Sequence, residues 1–227
     1  YVYQSDVTRP MEEDIADSIL ALKQNGLSIM WCDDIKSYKK LIPTLKMFPD
    51  AIIVTADDDI YYPENWLELL YNSYLSNPKC VHCHRAHAVG INEKGFEPYN
   101  NWEKRILSKD ASFEVLPTGC GGVLYPPHSL YEDVANIEKF MSLACNADDI
   151  WFWAMALLNN TKIQVVKNGI NKVRFVNYGR EIGLCEEDTL AHHNTGNMNG
   201  NDICIRRVAE AYPKIKTLLG NRVANNG

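Results

Sequence analysis

Apolar positions in the first 75 residues recur alternately every two residues and every three to four. "YVYQSD" (1–6) alternates and then meets Pro10, which predicts a strand followed by a loop. "MEEDIADSILALKQNG" (11–26) spaces Ile15, Ile19 and Leu22 for a helix, with acidic residues in its first turn and Gly26 as its stop. "LSIMWC" (27–32) reads as a second strand that ends at Asp33 and Asp34. "SYKKLIPTLKMF" (37–48) is helical in part, interrupted at Pro43. "AIIVTA" (51–56) is the most apolar strand, as expected for the middle of a parallel sheet covered on both faces. "PENWLELLYNSYLSN" (63–77) is a helix with Pro63 near its start. Strand and helix alternate throughout, which predicts an α/β open sheet with right-handed crossovers. Ligands of such sheets bind beyond the C-terminal strand ends, where Asp33, Asp34 and the triplet Asp57, Asp58, Asp59 all fall.

The second half is less regular. "CVHCHRAHAV" (80–89) reads as a strand and "EPYNNWEKR" (97–105) as a loop or short helix. "PTGCGGVLYPPHSL" (117–130) is a strand and turn punctuated by glycine and proline. "NADDIWFWAMALLNN" (146–160) is a helix with Asp148 and Asp149 in its first turn and Asn146 as a candidate cap. "KIQVV" (162–166) is a further strand, and the tail (192–220) is a polar loop followed by a helix from about Asn201.

Composition narrows the function classes. The chain has 227 residues, 46% of them hydrophobic and 23% charged, enough to bury a sizeable core. A net charge of −6, without any Lys/Arg-rich run, argues against a nucleic-acid surface. No apolar run reaches the length of a membrane span, no signal-peptide layout is seen, and seven scattered cysteines read as reduced thiols. A cytoplasmic protein is expected. The abrupt opening predicts that an element or two of the domain precede residue 1.

The triplet Asp57–Asp59 raises the chemical question. Three like charges at the end of a buried strand repel one another and are costly unless something positive sits there. Carboxylate oxygens suit magnesium and manganese, and such an ion can also hold a diphosphate. The competing reading is a solvated acidic loop. "KCVHCHRAH" (79–87) suggests zinc through Cys80, Cys83 and three histidines. A strand alternates their directions, and no second Cys/His pair stands downstream at ligand spacing, so zinc is not expected.

"IIVTADDDIYYPENWLELL" resembles the metal-binding Asp-x-Asp segment of GT-A fold glycosyltransferases, especially family 2-like enzymes of bacterial surface polysaccharide assembly. "DDIKSYKKLIPTLKMFPDA" before it, and "HRAH", "PYNNW", "LPTGCGGVLYPP", "NADDIWFWAMALL" and "NMNGND" after it, agree in order. The likeness spans about residues 30–205, and the ordered set is far more specific than the triplet alone.

The resemblance implies one glycosyltransferase domain over 1–227, with a nucleotide-sugar half (1–78) and an acceptor half (79–227). Its fold would be an open mixed sheet flanked by helices, lacking the family's first strand. Asp57 and Asp59 would be the outer members of the metal motif, with His193 or His192 a third ligand. Asp58 would meet the ribose or donor sugar, and Asp33 and Asp34 the base or ribose. Lys39 and Lys40 would approach the diphosphate, and Gly121 and Gly122, with Gly119, the acceptor or the diphosphate. Asp148 and Asp149 would supply the general base, Asp149 foremost; helix capping alone is the plainer alternative. Tyr99, Trp102 and Trp151 would be platforms for sugar rings, with the core the simpler place for Trp151.

The implied activity is metal-dependent, inverting transfer of a sugar from a nucleotide-diphosphate sugar, a UDP donor being expected, to a glycan hydroxyl. A lipid-linked acceptor would bring the protein to the inner face of the membrane. A non-catalytic nucleotide- or glycan-binding remnant, or a sugar nucleotidyltransferase, is the alternative.

Overall fold

A computed structural model describes residues 2–5, 15–107, 110–170, 172, 174–176 and 200–220. Strand β1 (Val2–Ser5) leads to helix α1 (Asp17–Ala21), which tightens into a 3-10 turn over Leu22–Asn25 before Gly26. Strand β2 (Ile29–Cys32) pairs in parallel with β1. A 3-10 helix (Lys36–Lys40) and α2 (Ile42–Met47) follow. The break between them falls at Leu41 rather than at Pro43, which sits in the first turn of α2, where its missing N–H costs nothing. Then come β3 (Ile53–Thr55), β4 (Ile60–Tyr61) and α3 (Trp66–Ser76).

The "CVHCHRAHAV" stretch divides into β5 (Val81–Cys83) and β6 (Ala86–Ala88), which join different sheets. A hairpin of β7 (Ile91–Asn92) and β8 (Gly95–Phe96) precedes β9 (Val115–Pro117) and β10 (Val123–Tyr125). Helices α4 (Ile137–Leu143) and α5 (Asp148–Leu158) follow, then β11 (Ile163–Val165), β12 (Arg174–Phe175), α6 (Gly200–Ala211) and α7 (Lys214–Gly220).

The largest sheet has the order β11-β5-β10-β3 and is mixed: β11 and β5 are parallel, whereas β10 runs antiparallel to both β5 and β3. The apolar strand β3 therefore lies at an edge of this sheet, not in the middle of a parallel one. Its neighbour β10 comes from the second half of the chain and enters in the opposite sense. The fold class is α/β, with a mixed sheet flanked by helices.

Period-two patterning sends side chains to both faces of that sheet. Ile53, Val81, Cys83, Val123, Tyr125, Ile163 and Val165 join the main core around α5. Leu124 and Val166 face the other way onto Leu70 of α3, with Val54, Trp66 and Tyr74 packed alongside. Helix α5 is the centre of the fold. Its residues from Ile150 to Leu158 are all buried, as an all-apolar sequence requires, and α6 and α7 pack against it. The two indole N–H groups of α5 are satisfied within the core: Trp151 donates to Val134 O at 3.0 Å and Trp153 to Phe113 O at 2.9 Å. Trp151 thus belongs to the core. Since α5 is fixed so firmly, its first turn is a rigid mount for Asp148 and Asp149. Among the described residues, no helix is long and apolar enough to cross a membrane.

Candidate functional site

Three segments deliver charge to one place: the 3-10 helix ending at Lys40, the loop after β3 and the first turn of α5. Lys40 Nζ lies 2.8 Å from Asp57 Oδ1 and 3.3 Å from Asp148 Oδ2. The second distance is an ion pair whose direction makes no hydrogen bond, so Asp148 Oδ2 is charge-compensated yet accepts no hydrogen bond. Ser37 Oγ, one turn earlier, donates to Asp148 Oδ1 at 2.8 Å. Asp149 Oδ1 accepts from the Gly119 N–H at 2.9 Å. A Cβ on Gly119 would stand 3.0 Å from that oxygen and 3.1 Å from Lys40 Nζ, so a side chain there would crowd both. The N-terminus of α5 adds a partial positive charge under the two aspartates.

The ionisation of the cluster follows from this crowding. Burial pushes the Asp149 carboxyl up, and the adjacent Asp148 carboxylate pushes it further, to about 7, against the opposing pull of Lys40 and the Gly119 N–H. Burial alone would lower the Lys40 ammonium, but Asp148, Asp57 and Asp149 outweigh it and hold Lys40 well above its ordinary value. Lys40 is therefore a fixed cation, whereas Asp149 exchanges a proton near neutrality. The charge facing Asp57 is an ammonium of the chain itself.

The glycine segment is bound tightly to its surroundings. Tyr62 OH donates to Cys120 O at 3.0 Å and accepts from the Asp57 N–H at 2.9 Å, which ties the triplet to the segment. Trp66 Nε1 donates to Gly121 O at 2.9 Å. The Gly121 and Gly122 N–H groups donate to Thr118 O and Gly119 O. A Cβ on Gly121 would lie 2.6 Å from Arg85 Cβ, and one on Gly122 2.4 Å from the Trp66 ring. What these two glycines approach closely is thus protein, Arg85 and Trp66, rather than open space for a ligand.

The remaining expected site residues are spread more widely. Asp58 is exposed and Asp59 half-buried, in the turn between β3 and β4, and Asp59 O accepts from Val176 N–H at 2.8 Å. Asp33 and Asp34 are exposed; Asp34 Oδ1 accepts from Lys36 N–H and pairs with Lys39 Nζ, both at 3.1 Å. Lys39 pairs with Asp34, whereas Lys40 enters the cluster. Asn146 does not cap α5; its Oδ1 accepts from Lys36 Nζ instead. Tyr99 and Trp102 are buried, and Lys104 Nζ covers the Tyr99 ring at 3.3 Å, so neither offers an open platform. His193 and His192 lie outside the described residues.

The Cys/His stretch is engaged locally. His82 contacts Ser73 Oγ and Asn77 O, His84 contacts Trp66 O and the Ile170 N–H, and His87 Nδ1 accepts from Arg105 N–H. The six described cysteines are free thiols. Arg85, Ser37 and Tyr62 were not expected at the site. Nothing local in the sequence marks Ser37 or Tyr62, and the glycine run pointed to a close approach by acceptor or diphosphate, whereas the groups it meets are Arg85 and Trp66.

Carboxylate oxygens such as those of Asp57 and Asp59 are the donor chemistry magnesium or manganese takes. Among the described residues, no group of three or more His, Cys, Asp or Glu side chains is placed to hold a metal ion. Two carboxylates completed by diphosphate oxygens and water is the usual way magnesium is held. No protein-family model matches the chain, and no curated protein matches it.

Proposed function

We propose that the chain is a metal-dependent, inverting glycosyltransferase of the GT-A kind, which moves a sugar from a nucleotide-diphosphate sugar, with uridine as the expected base, to a hydroxyl of a growing glycan. The observation that carries this reading is Asp149: a carboxyl on a rigid helix start, exchanging its proton near pH 7 and held beside the end of β3, where Asp57 and Lys40 meet. A general base works best when its proton affinity lies close to the operating pH.

In the proposed reaction Asp149 takes the proton of the acceptor hydroxyl as its oxygen bonds to the anomeric carbon. The bond from that carbon to the diphosphate breaks, and the electron pair leaves with the diphosphate. A divalent ion held by Asp57 and Asp59 would neutralise the departing charge. Lys40 keeps Asp57 and Asp148 oriented and stays charged throughout. Asp148, fixed by Ser37 and Lys40, raises the proton affinity of Asp149 by its own negative charge. A lipid-linked acceptor would place this reaction at the inner face of the membrane.

Calorimetric titration of UDP and GDP, each with and without manganese, tests the donor half on the wild type and on Asp59→Ala. Manganese-dependent binding that disappears in the variant is expected. Equal binding with and without metal, or none by either nucleotide, would sink the metal-assisted transferase. Asp149→Asn should then keep nucleotide binding while lowering transfer by about 10²–10⁴-fold.

A further inference from the structure

We propose that the outer face of helix α3 docks on the same face of a second copy of this chain, forming an antiparallel, two-fold dimer. The proposal goes beyond the transferase reading and does not depend on it.

The inner side of α3 is part of the fold. Leu70 is fully buried with Leu124 and Val166, and Trp66, Leu69 and Tyr74 pack alongside. On the outer side, where a surface helix ordinarily carries polar residues, stand Leu67, Tyr71 and Leu75, exposed by 52%, 47% and 58%. Single exposed apolar residues are ordinary, but these three recur at every fourth position and so form one row over two turns. Tyr71 is braced in place. Its ring stacks on Tyr74 with centroids 6.0 Å apart, which leaves it little freedom to lose when a partner arrives.

The charges around the row decide what covers it. Glu64 stands three residues before Leu67, Glu68 lies next to it, and Lys79 stands four residues after Leu75. All three are exposed, and among the described residues none is paired with an opposite charge. The row itself carries no charge. It therefore has an acidic end and a basic end. A second copy laid antiparallel sets Leu67 against Leu75, Tyr71 against Tyr71, and the glutamates of one copy against Lys79 of the other. A parallel copy would bring acid to acid and base to base. An anionic bilayer would meet the two glutamates, whereas the row of another copy supplies each sign where the other is needed. Three half-exposed side chains per copy fall short of the roughly 800 Å² per partner of a standard interface, so the dimer is weak and reversible.

The test is sedimentation equilibrium of the whole chain over roughly 10–500 μM, under reducing conditions that keep its thiols from cross-linking. The apparent mass should rise with concentration toward that of two chains, and less steeply as salt is added. Tyr71→Glu sets two like charges face to face on the two-fold axis and should raise the dissociation constant about tenfold. Glu64→Lys and Lys79→Glu should each raise it about fivefold, and the double variant should return it to near the wild-type value. All three positions are exposed, so thermal melts of the variants should match the wild type. If Tyr71→Glu fails to fold, the charge exchange carries the test alone. A monomer at every concentration, a dimer indifferent to Tyr71→Glu, or a double variant no better than the singles would overturn the proposal. A monomer that instead sediments with vesicles of phosphatidylcholine and phosphatidylglycerol would overturn it as well and give the row to a bilayer.

Discussion

Lys40 is the residue on which the acidic ends of β3 and α5 depend. Its ammonium faces Asp57 and Asp148 directly and Asp149 through space, and about a fifth of its side chain reaches solvent. Removing one partner from a mostly buried ion cluster leaves charge uncompensated, which is far more costly than the cluster is stabilising. Lys40→Met should therefore cost about 3 kcal/mol at pH 8. The loss should shrink toward pH 5, because carboxylates freed of their cation take up protons more readily. Urea unfolding at the two pH values measures both numbers. A loss that is the same at both would mean Lys40 acts by packing its methylenes, not by its charge.

At the scale of elements, the 3-10 turn Gly119–Gly121 and Gly122 join the two halves of the chain. Gly122 has φ 91° and faces the Trp66 ring, so a side chain there meets both a left-handed backbone cost and an indole. Gly122→Ala should destabilise by about 2–4 kcal/mol, the sum of a left-handed penalty and overpacking. Trp66→Leu should recover part of this in the double variant, because only the clash, not the φ, is relieved. Additive losses in thermal melts would show that the ring is not what Gly122 avoids.

Much at this scale was legible in the sequence. The apolar run of β3, the all-apolar α5 with its acidic first turn and the Gly26 stop come from local propensity and period. The place of β3 was not legible, since an antiparallel neighbour contributed from seventy residues downstream leaves no trace in the strand itself. For the same reason the triplet's charge suggested a metal, while the cation nearest Asp57 is a lysine 17 residues earlier in the chain. Asp33 and Asp34 show the converse. Strand-end position alone put them with the triplet, but Asp34 is engaged by the local turn through Lys36 and by the pair with Lys39.

For the molecule as a whole, Asp149 couples folding to pH. Its carboxyl keeps a proton up to about 7 in the folded chain, against an ordinary value of 3.8. Between those values the folded state binds more protons than the unfolded one, so this group's contribution to stability falls as pH rises. Below about pH 4 both states are protonated and the penalty vanishes. Other groups act with the opposite sign: burial lowers His82, His84 and His87, whose contributions rise with pH up to the ordinary histidine range. The side chain of Lys139 holds Asp133 below the usual carboxylate range, which places that contribution at more acidic pH. The net curve of the wild type thus mixes signs, and the difference from Asp149→Asn isolates one group. Asparagine keeps the size of the side chain and an oxygen for the Gly119 N–H, but does not titrate. Each unit of displacement is worth about 1.4 kcal/mol, and partial exposure of the residue reduces the total to on the order of 2 kcal/mol. Relative to the wild type, the variant should gain that amount between pH 4 and pH 7 and then level off, as read from urea unfolding at half-unit intervals. Parallel curves would mean that Asp149 is ionised throughout, and the case for it as a base working near neutral pH would lose its physical ground.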